Sequence, residues 1–87
     1  RGEYRDTIIA IRDGFVIGRG SLCNLKLSDS SISRRHTILR FANSAWYIQD
    51  LGSSSGTYVN GKRIEGLKLN PGDKIAIGNN TFTFLSD

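Results

Sequence analysis

Residues 57–64 read Thr-Tyr-Val-Asn-Gly-Lys-Arg-Ile, two short runs of strand type joined by Asn60-Gly61. Asn and Gly tolerate the positive φ that a two-residue hairpin turn requires, so this stretch predicts a β-hairpin. Turn residues recur along the chain, and a type II turn is predicted where Pro precedes Gly. These further turns are Asp13-Gly14, Asn79-Asn80 and Pro71-Gly72. So many turns in a short chain favour a protein built of short strands.

The segments between the turns are short and rich in β-branched or apolar residues. No window shows the three-four spacing of an amphipathic helix over ten residues. Besides the two strands of the hairpin, we predict strands at 7–11, 15–17, 25–27, 37–41, 46–48, 74–77 and 81–85. This pattern predicts an all-β fold, a sandwich or a barrel, with little or no helix.

One face of each strand must be buried, and the alternation of side chains indicates which one. The predicted core consists of Ile8, Ile17, Leu25, Leu27, Ile38, Trp46, Ile48, Val59, Leu69, Ile75, Ile77, Phe82 and Phe84.

Length and composition bound the remaining possibilities. With 87 residues, the chain forms one domain over 1–87, of which we expect 1–5 to be a frayed terminus. Cys23 is the only cysteine, which excludes an intrachain disulfide and favours a reducing, intracellular compartment, cytoplasmic or nuclear. No run approaches the length of a membrane span. The net charge of +4 favours anionic partners.

Three loops carry short polar side chains among glycines and arginines, at residues 18–21, 29–36 and 50–57. Alternate loops of a sandwich gather at one end, so we expect these three to converge. Arg19 and Arg34 would then bring guanidinium groups, and Ser33 and Ser54 hydroxyl groups, to one place. Such a set of donors matches a tetrahedral oxyanion, and a phosphorylated side chain is a suitable ligand.

Five motifs in this order and spacing resemble those of a forkhead-associated (FHA) domain. They are Ile17-Gly18-Arg19, the run 25–29, Ser33-Arg34-Arg35-His36, the run 46–51 and the run 53–61. The resemblance runs from about residue 7 to residue 85. It implies a two-sheet β-sandwich of about eleven short, mostly antiparallel strands. It also implies that loops at one end bind a phosphothreonine in a partner protein.

The resemblance also implies a role for individual residues. Arg19 and Ser33 would contact the phosphate, and Arg34 and Ser54 would line the same site. Ser55 stands where the family usually has an asparagine that contacts the peptide backbone. Structural support of the site is implied for Gly18, His36, Gly56, Thr57 and Asn60. We expect no cofactor, no metal, no membrane or nucleic-acid partner, and a monomeric domain.

Three other functions deserve comparison. Ser33, His36 and Asp50 are the residue types of a nucleophilic triad, but a thin sandwich of this length leaves little room for a substrate cleft, so we do not expect an enzyme. A small basic β-module could bind nucleic acid, although the predicted aromatics fall in core positions. A scaffold domain that has lost phosphate binding could associate through a sheet face, an alternative to which Ser55 gives weight.

A substitution at Ser55 tests the departure from the family pattern. A serine hydroxyl cannot donate to and accept from two separated atoms as an amide can. We expect Ser55→Asn to tighten phosphopeptide binding by about two- to twelvefold, the worth of one hydrogen bond. A calorimetric titration measures this, and unchanged or weaker binding would contradict the prediction.

Overall fold

The computed structural model describes residues 8–85, which form nine strands in two sheets. The strands are β1 (Phe15–Gly18), β2 (Leu25–Lys26), β3 (Thr37–Ala42), β4 (Ala45–Asp50), β5 (Thr57–Val59), β6 (Lys62–Ile64), β7 (Gly66–Lys68), β8 (Lys74–Ile77) and β9 (Asn80–Thr83). One sheet has the order β2-β1-β3-β4-β7 and the other β6-β5-β8-β9. Strands β1 and β2 are parallel, and all other neighbours are antiparallel.

The predicted two-sheet, mostly antiparallel sandwich is confirmed. The described part has nine strands rather than about eleven, and it contains no helix. Consequently it contains no helix long and apolar enough to cross a membrane. Strand β7 was not predicted, because it begins with glycine and all three of its residues are exposed, so it carries no alternation of buried and exposed positions. The expected frayed terminus, 1–5, lies outside the described residues.

The predicted first strand is wrong where the structure describes it. Residues 8–11 form no strand, and Ile8, predicted to be in the core, is 87% exposed. The turn at Asp13-Gly14 exists, since the amide of Phe15 donates to the carbonyl of Arg12. However, the edge of β1 away from β3 is taken by β2 at Ile17 and Gly18 and by the side chain of Asn24, which accepts from the amide of Val16 at 2.8 Å. Ile9 and Ile11 instead pack against the core as half-buried side chains.

The core lies between the sheets and otherwise follows the predicted alternation except in β3, where Leu39 joins the core cluster and the predicted Ile38, although buried, does not. Trp46 and Phe82 are half-buried at its margin, and the other predicted residues apart from Ile8 are buried. The buried hydrophobic residues that were not predicted are Phe15, Ile32 and Leu39. Ile38 and Leu39 are consecutive and both buried, because β3 is a central strand that is covered on both faces there. Because such a strand is buried on both faces, an alternation of buried and exposed residues cannot identify it.

The turns show how local sequence closes the sheets. Asn60 and Gly61 have φ values of 52° and 83°, which confirms the predicted hairpin. Gly72 has φ 92°, the left-handed position of the predicted turn after Pro71. The turn predicted at Asn79-Asn80 lies one residue earlier, because Asn80 pairs with Ile77 and the connection is therefore Gly78-Asn79.

The turn between β3 and β4 was not predicted. Ala42 pairs with Ala45, so Asn43 and Ser44 alone connect the strands, with φ values of 53° and 61°. Both residues are exposed. Asn adopts this conformation readily, whereas Ser carries the steric cost that its Cβ atom imposes at positive φ.

Ser44→Gly should therefore stabilise the domain. Relief of the left-handed conformation is worth about 1–2 kcal/mol, and the greater freedom of glycine in the unfolded chain costs about 0.4–1 kcal/mol. We expect the free energy of unfolding in urea to rise by about 1 kcal/mol. The control is Ser21→Gly, at an exposed loop position without positive φ, where only the cost applies and stability should fall. Equal effects at the two positions would contradict this explanation.

Candidate functional site

The three polar loops are joined by hydrogen bonds at one end of the sandwich. The amides of Arg19 and Gly20 donate to the carbonyls of Ser33 and Arg34 at 3.0 Å each. The hydroxyl of Ser55 donates to the carbonyl of Ser31 at 2.7 Å. The expected convergence of the loops is therefore present in the structure.

Gly18 allows the first two loops to approach each other. A Cβ atom at this position would lie 2.2 Å from the carbonyl oxygen of Arg34 and 3.0 Å from Sγ of Cys23. No side chain fits there without displacing backbone. The Cys23 thiol donates to the same Arg34 carbonyl at 3.0 Å, so this half-buried cysteine braces the loop.

Arg19 and Ser33 lie next to each other, and each keeps a hydrogen-bond donor that is not used within residues 8–85. Nε of Arg19 donates to the carbonyl of Ile32 at 2.9 Å, which fixes the side chain while its terminal nitrogens remain available. Oγ of Ser33 accepts a long hydrogen bond, 3.4 Å, from the amide of Ser54, so the hydroxyl proton is free for another acceptor. The side chains of Arg34 and Ser54 are exposed beside them.

His36 is fully buried and connects two loops through its ring. The amide of Ser33 donates to Nδ1 at 3.1 Å, so Nδ1 carries no proton. Nε2 lies 2.7 Å from the carbonyl oxygen of Gly56 and must therefore be the protonated nitrogen that donates to it. His36 is thus a neutral brace, and no ring nitrogen is left for the Ser33 hydroxyl.

Asp50 organises the third loop by accepting four hydrogen bonds. Oδ1 accepts from the hydroxyls of Ser53 (2.5 Å) and Thr57 (2.7 Å). Oδ2 accepts from the amides of Gly52 (3.1 Å) and Ser53 (3.0 Å). Because the single proton of Thr57 is used here, the buried Thr37 hydroxyl, 2.8 Å away, must donate to Thr57. Since neither Asp50 nor Ser33 bonds to His36 through its side chain, the three do not form a nucleophilic triad.

Asp29 ties the second loop to the β8–β9 turn. Its carboxylate accepts from the amide and the hydroxyl of Ser31 and from the amide of Asn79, all at 2.9 Å. Gly78 makes room for this contact, since a Cβ atom there would lie 2.7 Å from Oδ2 of Asp29. Asp73 braces its own turn in a similar way, since its carboxylate accepts from the amide of Asn70 at 2.8 Å. Among residues 8–85, no group of His, Cys, Asp and Glu is arranged to hold a metal ion.

Asn60 does not belong to this end of the molecule. It follows β5, whose other end, at Thr57, adjoins the loops. Its side chain donates to Asp73 at 3.0 Å and accepts from the amide of Lys74 at 2.9 Å, which joins two turns at the far end. The prediction that Asn60 supports the site is corrected, because the strand carries it away although it is close to the motif in sequence.

Two residues at this end escaped the sequence analysis. Ser53 is buried, and its hydroxyl accepts from the amide of Gly56 at 3.0 Å while donating to Asp50. The side chain of Arg63, from β6, lies against Gly56, where a Cβ atom would be 2.8 Å from Nε. A capping serine three residues after an aspartate could have indicated Ser53. No local signal indicates Arg63.

This end of the sandwich carries more positive than negative charge. Both oxygens of Asp29 and of Asp50 accept hydrogen bonds, most of them from their own loops. These bonds explain why the pKa of Asp29 is lowered, first through the amide of Ser31 and then through that of Asn79. Burial raises the pKa of Asp50, but the hydrogen bonds from Ser53 and Thr57 outweigh it and lower the pKa overall. Within residues 8–85, these carboxylates are therefore engaged by hydrogen bonds, and no ion pair joins them to Arg19 or Arg34.

Comparison with known proteins connects this geometry to a family. The family model described as FHA domain matches residues 15–78. The glycogen accumulation regulator GarA of Mycobacterium tuberculosis is 36% identical over 69 residues, which cover 79% of this chain and 43% of GarA. The chain thus spans less than half the length of this relative.

Solved structures are similar over most of the chain. One, from a structural and functional analysis of phosphothreonine-dependent FHA domain interactions, has a TM-score of 0.83 and 32% identity, and the match covers 88% of this chain and 81% of that one. Another is the FhaA FHA domain in complex with the intracellular domain of Rv3910, and FhaA is a protein of Mycobacterium tuberculosis. It has a TM-score of 0.78 and 34% identity, with 84% of this chain and 81% of that one covered.

The hydrogen bonds of Asp50 predict a loss of stability in acid. Its pKa is lower in the folded state than the ordinary 3.8, so the stabilisation is complete above about pH 3.8 and disappears as the pH falls through the folded value. Asp29 and Asp73, whose pKa values are also lowered, contribute with the same sign. Urea unfolding between about pH 6 and about pH 2 measures the effect.

The matched variant is Asp50→Asn, which cannot accept all four hydrogen bonds. We expect it to lose about 1 kcal/mol at neutral pH, a modest figure because the carboxylate is partly exposed. The difference from the wild-type protein should shrink in acid. A difference that stays constant with pH would contradict the assigned role.

Proposed function

The chain belongs to the FHA domain family, and we propose that it recognises a phosphothreonine in a partner protein through the three loops at one end of the sandwich. FHA domains are interaction modules, and one related structure comes from an analysis of phosphothreonine-dependent FHA domain interactions. The observation that carries the proposal is the pairing of Arg19 and Ser33. Both are held by hydrogen bonds to the loop backbone, and both keep donors free.

In this proposal the phosphate lies between Arg19 and Ser33. Arg19 supplies guanidinium nitrogens and Ser33 its hydroxyl proton, while Arg34 and Ser54 complete the site from the exposed side. A phosphate monoester carries nearly two negative charges at neutral pH and has three acceptor oxygens, so it suits a site composed of donors. Charge-assisted hydrogen bonds of this kind are worth roughly twice as much as neutral ones.

Ser55 has a smaller part in peptide recognition than the family asparagine. Its hydroxyl proton is already donated to the carbonyl of Ser31, so only the lone pairs of Oγ remain for a peptide amide. We propose that the phosphate contributes most of the affinity and that the grip on the peptide backbone is weaker. An asparagine at this position could keep the bond to Ser31 through its amide nitrogen and still offer its oxygen to the peptide.

The positions of the aromatic side chains support this function over nucleic-acid binding. Phe41 and Trp46 contact each other with ring centroids 5.1 Å apart, near the Asn43-Ser44 turn. That turn lies at the opposite end of β3 from the loops. Binding of single strands requires bases to stack on aromatics beside the cations, and the Phe41–Trp46 pair lies away from Arg19 and Arg34.

The test begins with an oriented phosphothreonine peptide library, from which one bound peptide is taken for titration. We expect Arg19→Ala to weaken binding roughly ten- to hundredfold, because charge-assisted bonds to the phosphate are lost. Ser33→Ala should weaken it about tenfold. Arg35→Ala is the matched control, since it removes an adjacent exposed cation of equal charge and should change affinity little.

Further titrations distinguish the alternatives. The unphosphorylated peptide should not bind, and the phosphoserine version should bind more weakly if the threonine methyl group is contacted. Binding of single-stranded nucleic acid without binding of any phosphopeptide would overturn the proposal. Phosphopeptide binding that persisted unchanged in Arg19→Ala would overturn it as well.

A further inference from the structure

Arg63 reaches the third loop from outside the loop cluster. It lies on β6 opposite Tyr58, on the face of the sheet that points away from the core. Its side chain nevertheless extends over Gly56, where a Cβ atom would be 2.8 Å from Nε, 3.1 Å from Cζ and 3.2 Å from Cδ. Nη2 donates to the carbonyl of Ser53 in a long hydrogen bond of 3.5 Å.

Gly56 is thereby held from three directions. Its carbonyl accepts from Nε2 of His36 at 2.7 Å, and its amide donates to Oγ of Ser53 at 3.0 Å. Its Cα atom is covered by the guanidinium group of Arg63. Two separate features exclude a side chain at Gly56. The space that a Cβ atom would need is occupied, and the backbone has a φ of 91°, which favours glycine. Ser53 and Gly56, the two residues that Arg63 touches, flank Ser54 and Ser55.

We propose that Arg63 is a positioning residue, which holds the Ser53–Gly56 loop in the shape that presents Ser54 and Ser55 to the ligand. The inference rests on the proposed function, because it assigns Arg63 a part in the same site. Arg63 acts through the loop and does not touch the ligand. A planar guanidinium group can lie flat on Gly56 and donate to Ser53 at once, which a lysine ammonium cannot do.

The expected consequence is a loss of pre-organisation rather than a loss of contacts. Without Arg63, the loop keeps its internal bonds and those to Ser31, Ser33 and His36, but a smaller fraction of molecules has the binding shape. The apparent affinity falls by that fraction for every ligand that uses the loop. Global stability should change little, because Arg63 is exposed and its hydrogen bond is long.

Three variants test the proposal in the intact chain. Arg63→Ala removes the contact, and Arg63→Lys keeps the charge without the flat group. Lys62→Ala, the matched control, removes the adjacent exposed cation of β6. We expect Arg63→Ala to weaken binding of the selected phosphothreonine peptide by about two- to tenfold. Arg63→Lys should recover only part of this, and Lys62→Ala should not weaken binding.

A minimal probe separates positioning from direct contact. N-acetyl-phosphothreonine methylamide has no flanking side chains, so a residue that contacts the rest of the peptide cannot affect its binding. We expect the same fold-loss for this probe, measured by NMR titration, as for the peptide. The salt dependence of peptide binding should be unchanged in Arg63→Ala, since Arg63 neutralises no charge of the ligand and its loss changes no counterion release. Amide exchange at Ser54 and Gly56 should rise while the melting temperature stays the same.

Each result has a definite meaning. A loss seen only with the peptide, together with a shallower salt dependence, would show that Arg63 binds the ligand itself and would overturn the positioning role. Unchanged affinity in Arg63→Ala, or unchanged amide exchange, would overturn it too. If the wild-type protein binds neither the peptide nor the minimal probe, the proposed function fails instead. If the wild-type protein binds and Arg63→Ala binds equally well, only this inference is refuted.

Discussion

The neutral imidazole of His36 is the constraint on which the loop end of the domain depends. A buried ring with an unmatched nitrogen would cost about 1–3 kcal/mol, so both nitrogens must have partners. Those partners, the amide of Ser33 and the carbonyl of Gly56, belong to two different loops. The same two loops carry Ser33, Arg34 and Ser54, three of the four residues to which we assign phosphate binding. The histidine therefore fixes the distance between the two sides of the site by satisfying its own hydrogen bonds.

Other hydrogen bonds at this end direct the carboxylate oxygens of Asp29 and Asp50 mainly towards groups of their own loops. Asp50 accepts four bonds and Asp29 three, nearly all from residues of their own loops. A carboxylate that is saturated in this way folds the loop around itself and has few acceptor sites left to compete with an anion for the arginine donors. Arginine nitrogens, hydroxyl protons and amides then form the outer layer. Under the proposed function, the chain thus uses acidic residues to shape a site for an acidic ligand.

Much of this could be predicted from the sequence, because turn residues and alternation are local signals. The hairpin at Asn60-Gly61, the all-β fold and the meeting of three loops followed from them. What could not be predicted depends on tertiary packing. Residues 8–11 have strand composition, but β2 and the side chain of Asn24 take the edge of β1 that they would need. Asn60 is close to the motif in sequence, but strand β5 places it at the far end of the domain. Arg63 lies on β6, and its long side chain reaches the third loop. The Asn43-Ser44 turn was missed because serine is an unusual residue at positive φ.

The mutual bonding of the loops has a consequence for timing. Their shape is specified by their own amides, hydroxyls and carboxylates, so a ligand does not need to fold them, and the binding step includes no slow rearrangement of the domain. Under the proposed function the domain is a passive reader, and the chemical state of the partner is the only variable. The kinase and the phosphatase that act on that partner would then set when the complex forms and how long it lasts.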